Sequence, residues 1–141
     1  MGKFLSSGRR GVVLGLFIGV VSFAFLAACV PTKPGPTATF DSTPAAGPAG
    51  SSITVSSITP CPPLPAGVQG PPIVRVNLVQ GGQGIGSVEL PVDASGAWSG
   101  ALVVAGSASP GGATLNAFCF SSTQAEGTTL SYQSRTFTVT S

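Results

Sequence analysis

The chain has 141 residues, of which only 7 % are charged and none is histidine, and its formal net charge is +2. The positive excess lies within the first ten residues, and beyond residue 28 three Lys and Arg stand against four Asp and Glu, a net charge of −1. The absence of a basic patch excludes nucleic-acid binding, and the scarcity of ionisable side chains argues against an enzyme and implies no cofactor.

The first 28 residues have the layout of a secretory signal peptide. Three cations lie within the first ten residues, and the run 11–26 is apolar apart from Ser22. The segment closes on the sequence Leu-Ala-Ala-Cys, which ends at Cys29. It resembles the lipobox of bacterial lipoprotein signals, and the resemblance covers residues 1–29.

This resemblance implies that Cys29 is the lipidation site. Cleavage before it would free an amine for a further acyl chain such as palmitate, while the thiol carries a diacylglyceryl group, and several chains make a stable anchor. The protein is then expected at the cell membrane, held on the extracytoplasmic face. Two alternatives remain: the run 11–28 is retained as a transmembrane helix, or the chain is cut near Cys29 and secreted. The pair Arg9-Arg10 also leaves the export route, Sec or Tat, open.

Residues 29–52 are predicted to be a linker. They are rich in Pro, Thr and Gly and offer almost nothing apolar to bury beyond Phe40. Such composition is typical of an extended or disordered tether. Its Thr and Pro content also suits O-glycosylation, with an unmodified spacer as the alternative.

From Ile53 onward the pattern predicts an all-β domain. Short apolar runs with a period near two are separated by Gly, Pro and Ser clusters, and no stretch shows the helical period. The strand-forming runs are 53–55, 73–79, 86–92, 97–105, 113–120 and 129–140. Turns are predicted at 80–84 and 93–96. The spacing favours an antiparallel β-sandwich of about seven strands over residues 53–141.

Two of these strands are expected to be irregular. Pro91 cannot donate a main-chain hydrogen bond, which indicates a sheet edge or a strand end. Tyr132 and Phe137 have opposite parity, so a bulge or kink near Ser134 and Arg135 is needed if both are buried.

The aromatic residues divide between the core and a second face. Trp98 shares a face with Leu102 and Val104, which predicts a core position rather than a sugar-stacking platform. Phe118 and Phe120 fall opposite the core-facing side of their strand. They are expected to cap an edge of the core or to form an exposed patch.

Cys61 and Cys119 remain as a pair once Cys29 is lipidated. In an exported domain a disulfide between them is the default expectation, and its long loop corresponds to roughly 4 kcal/mol of stabilisation. The two thiols lack the spacing of a redox motif, and the chain has no histidine to complete a metal site.

Several segments resemble bacterial extracellular immunoglobulin-like modules of the kind found on actinobacterial surface proteins. They are the Pro-rich segment around Cys61, the Asp-Ala-Ser-Gly-Ala-Trp run 93–98, the run 109–119 that ends in Cys119, and the terminal run 132–140. The likeness covers residues 53–141. It implies an immunoglobulin-like sandwich, and it says little about function.

The inventory of reactive groups suggests no catalytic residues. Glu89 and Asp93 flank one turn and could approach each other, but a single Asp and Glu make a poor calcium cage, and no metal site is predicted. The leading hypothesis is a monomeric envelope module that binds wall polymer, glycan or another protein. Its contacts are placed on loops at one end of the sandwich, at 62–72, 106–112 and 121–128.

Two alternative functions remain open. One is a structural spacer or accessory subunit without a ligand. Burial of Phe118 and Phe120 would favour this alternative, whereas an exposed patch would favour binding. The other is a small-molecule receptor, for which a single small sandwich has little room.

Overall fold

A computed structural model describes residues 37–123 and 130–141. The signal segment, Cys29 and the run 11–28 lie outside the described residues. All of the secondary-structure elements within these residues are β-strands. The described residues contain no helix that is long and apolar enough to cross a membrane.

Nine strands form two sheets in this part of the chain. They are β1 (Phe40–Thr43), β2 (Ala46–Pro48), β3 (Ser52–Ser57), β4 (Pro72–Gln80), β5 (Gln83–Pro91), β6 (Ser99–Val103), β7 (Gly111–Ser121), β8 (Leu130–Ser131) and β9 (Arg135–Thr140). One sheet has the order β1-β3-β6, and the other has the order β2-β9-β7-β4-β5, with β8 paired to β7. Pairing is antiparallel except between β2 and β9. The predicted all-β sandwich is therefore confirmed.

The core lies between the two sheets and follows the alternation of side chains along the strands. Trp98, Leu102 and Val104 are all buried, as predicted. On β4 and β7 the fully buried positions are Val74, Val76, Leu78, Leu115, Ala117 and Cys119. Because the inward residues of neighbouring strands are in register, they pack into one continuous cluster.

The prediction that residues 29–52 form a linker is wrong from residue 37 onward. Strand β1 pairs with β3 in one sheet, and β2 pairs with β9 in the other. Phe40 is fully buried, with its ring centroid 5.9 Å from that of Trp98. Composition misled here because short strands at sheet edges tolerate Pro and Gly, and one buried aromatic ring holds the segment in place. The domain therefore includes residues from Ala38 onward and does not begin at 53.

The predicted irregularities are confirmed. Pro91 ends β5, which is the edge strand of the larger sheet. The expected long last strand is divided into β8 and β9, and this break allows Tyr132 and Phe137 to be buried together.

Antiparallel pairing gives the sandwich two ends with different loops. The disulfide end carries the loop 58–71, the turn 93–96 and residues 121–123, since Pro72 lies opposite Ser121. The hairpin end carries the two-residue turn between β4 and β5 and the loop 104–110, since Val79 lies opposite Thr114.

Candidate functional site

A proline-rich loop at the disulfide end is the most distinctive surface feature. Its start is fixed by the disulfide between Cys61 and Cys119, whose Cα atoms are 6.0 Å apart. The main-chain N–H of Cys61 also donates a 2.8 Å hydrogen bond to the carbonyl oxygen of Gly96. The predicted disulfide is thus present, and it joins this loop to the inner face of β7.

The far side of the loop is fixed by hydroxyl groups. The carbonyl oxygen of Gln69 accepts a 2.6 Å hydrogen bond from the Thr123 hydroxyl and another from the buried hydroxyl of Ser121. The N–H of Ser122 donates to the carbonyl oxygen of Pro71 at 3.0 Å. Because both sides of the loop are attached to β7 or to the residues that follow it, the segment 62–68 is held as a defined projection.

The turn 93–96 faces this loop, and groups within the turn and directly after it donate hydrogen bonds to the Asp93 carboxylate. One carboxylate oxygen of Asp93 accepts hydrogen bonds from the Ser95 hydroxyl at 2.6 Å, the Ser95 N–H at 2.8 Å and the Ala97 N–H at 2.9 Å. The Ser95 hydroxyl, and after it the Ala97 N–H, holds the pKa of Asp93 below its usual value. Gly96 closes the turn with a φ of 84°, in the left-handed region that favours glycine.

Glu89 does not approach Asp93 as the sequence suggested. Its carboxylate lies 2.6 Å from the Arg75 guanidinium, directly across the β4–β5 pairing. No group of three or more potential metal ligands occurs among the described residues.

A groove of about 520 Å³ lies between the loop and the turn. Its volume falls within the usual range of about 300–1,000 Å³ for ligand sites. Most of its side chains are prolines or aliphatic groups, such as Leu64 and Val68 on the loop side and Val92 and Ala94 on the turn side, but polar atoms form about as much of its surface as apolar ones. Among the described residues that line it, Asp93 is the charged one, and one of its two carboxylate oxygens is engaged by its own turn.

The structure brings together only two of the three loops predicted to form a binding end. Loop 62–72 meets residues 121–123, while 124–128 lie outside the described residues. The loop 106–110 is at the hairpin end, where the Gln80 side chain donates to the carbonyl oxygen of Ser109 at 2.8 Å. Each antiparallel strand reverses the chain, so the loops after β3, β5 and β7 share one end. That alternation could have placed the turn 93–96 in the site from sequence.

The aromatic residues do not form an exposed platform in the described part of the chain. Phe120 is buried, and the guanidinium carbon of Arg75 lies 4.9 Å from its ring centroid. Phe118 is half-buried and Trp98 is buried. The exposed large apolar side chains are instead Ile58 and Val103, each 60 % exposed and located at opposite ends of the sandwich.

Comparison with protein-family models, with curated proteins and with solved structures returned no match.

Proposed function

We propose that this chain is a lipoprotein anchored through Cys29 on the extracytoplasmic face of the cell membrane, and that its β-sandwich binds an envelope component without catalysis. The component is a wall polymer, a glycan or a protein. The observation that carries the binding role is the groove between loop 62–68 and turn 93–96, whose two walls are fixed before any ligand arrives.

Prior fixation matters because ordering a loop on binding reduces affinity. Here the disulfide, the Cys61–Gly96 hydrogen bond and the hydroxyl contacts at Gln69 already order the walls. A ligand therefore meets a formed surface, and more of its contact energy appears as affinity.

The lining also limits the chemistry of the ligand. Its side chains are mostly prolines and aliphatic groups, and one oxygen of the Asp93 carboxylate accepts hydrogen bonds from Ser95 and Ala97. An anionic ligand would lose water without gaining an ionic partner, because the groove offers no cation among the described residues that line it. An uncharged segment of a polymer or protein is the better match.

The test is a retention experiment on the mature chain with Cys29→Ser, which prevents acylation. The chain, oxidised and shown to be folded, is immobilised and exposed to wall, glycan and membrane-protein fractions of the native envelope. Saturable retention by one fraction that is lost in Ala94→Trp, which fills the groove, would support the proposal. The matched control is Ser107→Trp at the exposed hairpin end, which should retain binding.

A structural spacer is the second candidate, and one observation favours it. Phe120, which could have formed an exposed patch with Phe118, is buried under Arg75. No retention from any fraction, or equal loss in Ala94→Trp and Ser107→Trp, would leave the spacer as the better account.

Lipid anchoring is tested separately. The N-terminal peptide of the protein recovered from membranes should begin at Cys29 and carry the mass of its acyl chains. An unmodified Cys29, or an uncleaved signal segment, would contradict the anchor.

A further inference from the structure

The described chain begins at the disulfide end of the sandwich. The Gln133 N–H donates to the carbonyl oxygen of Ala38 at 2.7 Å, and the Thr39 N–H donates to the Thr59 hydroxyl at 3.0 Å. The Ile58 N–H donates to the carbonyl oxygen of Thr39 at 3.2 Å. These contacts fix the point where any tether from Cys29 joins the domain.

Any tether from Cys29 is short, because Ala38 is already held in the domain. Nine peptide units separate Cys29 from Ala38. At about 3.3–3.6 Å per residue, the two Cα atoms can be no more than about 30 Å apart. A lipid on Cys29 therefore keeps this end of the domain near the membrane surface.

The same end carries a set of uncharged, mostly apolar residues, here named the tip patch and defined as Ile58 and residues 63–68. Ile58 is 60 % exposed, and the run 63–68 reads Pro-Leu-Pro-Ala-Gly-Val. Pro63, Pro65 and Ala66 are exposed, while the Leu64 and Val68 side chains are half-buried.

We propose that the tip patch rests on the phospholipid bilayer that carries the anchor. This inference rests on the lipid anchoring proposed above. The choice of a bilayer follows from where the described chain begins and from the length of chain that remains to Cys29. A short tether gives an effective concentration on the order of millimolar, so even a weak apolar contact is populated. The envelope component that the groove binds is then one located at the membrane surface.

Charge determines the kind of lipid contact. Of the described charged groups near this end, Asp93 accepts hydrogen bonds within its turn, and Arg75 pairs with Glu89. Arg135 donates to the carbonyl oxygen of Phe40, and Asp41 is exposed on β1. The tip patch itself has no cation to attract anionic headgroups. The contact is therefore apolar and interfacial, and it should depend little on the fraction of anionic lipid.

The experiment uses the acylated mature chain in nanodiscs whose lipids include a gadolinium-chelating headgroup, and it measures the line broadening of methyl signals. Ile58 and Val103 form a matched pair, because they are equally exposed at opposite ends. Val103 lies opposite Ser52, six residues before Ile58, which is about 20 Å along the strand, so broadening at Ile58 should exceed that at Val103 by about tenfold or more.

A variant distinguishes contact from simple tethering. Ile58→Ser with Leu64→Ser should reduce broadening at the Val68 methyls several-fold, whereas Val103→Ser should leave it unchanged. Nanodiscs with zwitterionic and with anionic lipid should give the same result. Unchanged Val68 broadening in the double variant, or equal broadening of Ile58 and Val103, would overturn the tip patch and leave the anchor intact. An unacylated Cys29 in membrane-derived protein would overturn both.

Discussion

The indole N–H of Trp98 donates a 2.9 Å hydrogen bond to the hydroxyl oxygen of Tyr132, and the two rings meet edge to face with centroids 5.3 Å apart. The Tyr132 hydroxyl in turn donates to the carbonyl oxygen of Thr59 at 3.1 Å. Phe40 packs against both rings. These contacts link Trp98, just before β6, and Tyr132, just after β8, to Thr59 at the start of the proline-rich loop. They therefore support the loop that forms one wall of the groove.

Removing the Tyr132 hydroxyl should destabilise the domain. Tyr132→Phe keeps the ring but leaves the buried Trp98 N–H and the Thr59 carbonyl without this partner, which should lower the free energy of unfolding by about 1–3 kcal/mol. Denaturant unfolding of the oxidised chain measures the change. Ser134→Ala, which removes an exposed hydrogen bond to Asn116, should change it by less than about 0.5 kcal/mol. Equal effects of the two variants would contradict a structural role for the buried bond.

The same hydroxyl makes stability depend on alkaline pH. Burial raises the pKa of Tyr132 above its ordinary 10.0, against a smaller lowering by the hydrogen bond from Trp98. The unfolded chain therefore loses this proton first, and the free energy of unfolding should fall as pH rises above about 10. Because Tyr132 is the single tyrosine, its tyrosinate absorbance can be followed directly. A folded-state titration at or below that of the denatured chain would refute the expectation, and Tyr132→Phe should lack this part of the decline.

Gly96 is required for two separate reasons. An alanine there would have an unfavourable φ of 84°, and its Cβ would overlap the carbonyl oxygen of Cys61. Gly50 has a similar φ of 82° with nothing within 4 Å of the added atom. Both alanine variants should lose about 1–2 kcal/mol from the backbone, and Gly96→Ala should lose a further 1–3 kcal/mol or so from the overlap. Unfolding free energies that agree within error would show that the turn moves freely away from the loop.

Phe40 should be as important to stability as any residue of the later strands. Phe40→Ala empties a fully buried site and should cost about 3–5 kcal/mol of unfolding free energy. Thr43→Ala, on the same strand but exposed, should change it by less than about 0.5 kcal/mol. A chain that starts at Ile53 should fail to fold, as judged by near-ultraviolet circular dichroism of Trp98. A cooperative transition for that shortened chain would restore the linker interpretation of residues 37–52.

The later strands could be predicted because their alternation is strong. Val74, Val76 and Leu78 mark one face of β4 without ambiguity, and the opposite parity of Tyr132 and Phe137 required the observed break. Strands β1 and β2 could not be predicted, because short edge strands obtain their stability from partners far along the chain. Each strand has too few residues for an alternation of buried and exposed side chains to be recognised among the Pro and Gly residues of this segment.

The candidate site was only partly predictable for a related reason. The disulfide and the proline-rich loop followed from Cys61 and Cys119. The role of Asp93 and Gly96 as the opposite wall depends on which end each turn occupies, and that follows only from a complete strand order.

The parallel pairing of β2 with β9 has a mechanical consequence. Ala38 lies at the disulfide end of the sandwich, and Thr140 lies at the hairpin end. In the parallel pairing, Ala46 lies beside Thr138 and Pro48 lies beside Thr140. A pull between these two points acts along the strands, so the hydrogen bonds between β2 and β9 share the load in shear instead of opening one after another. A domain connected in this way can transmit tension from one end of the sandwich to the other while its core stays closed.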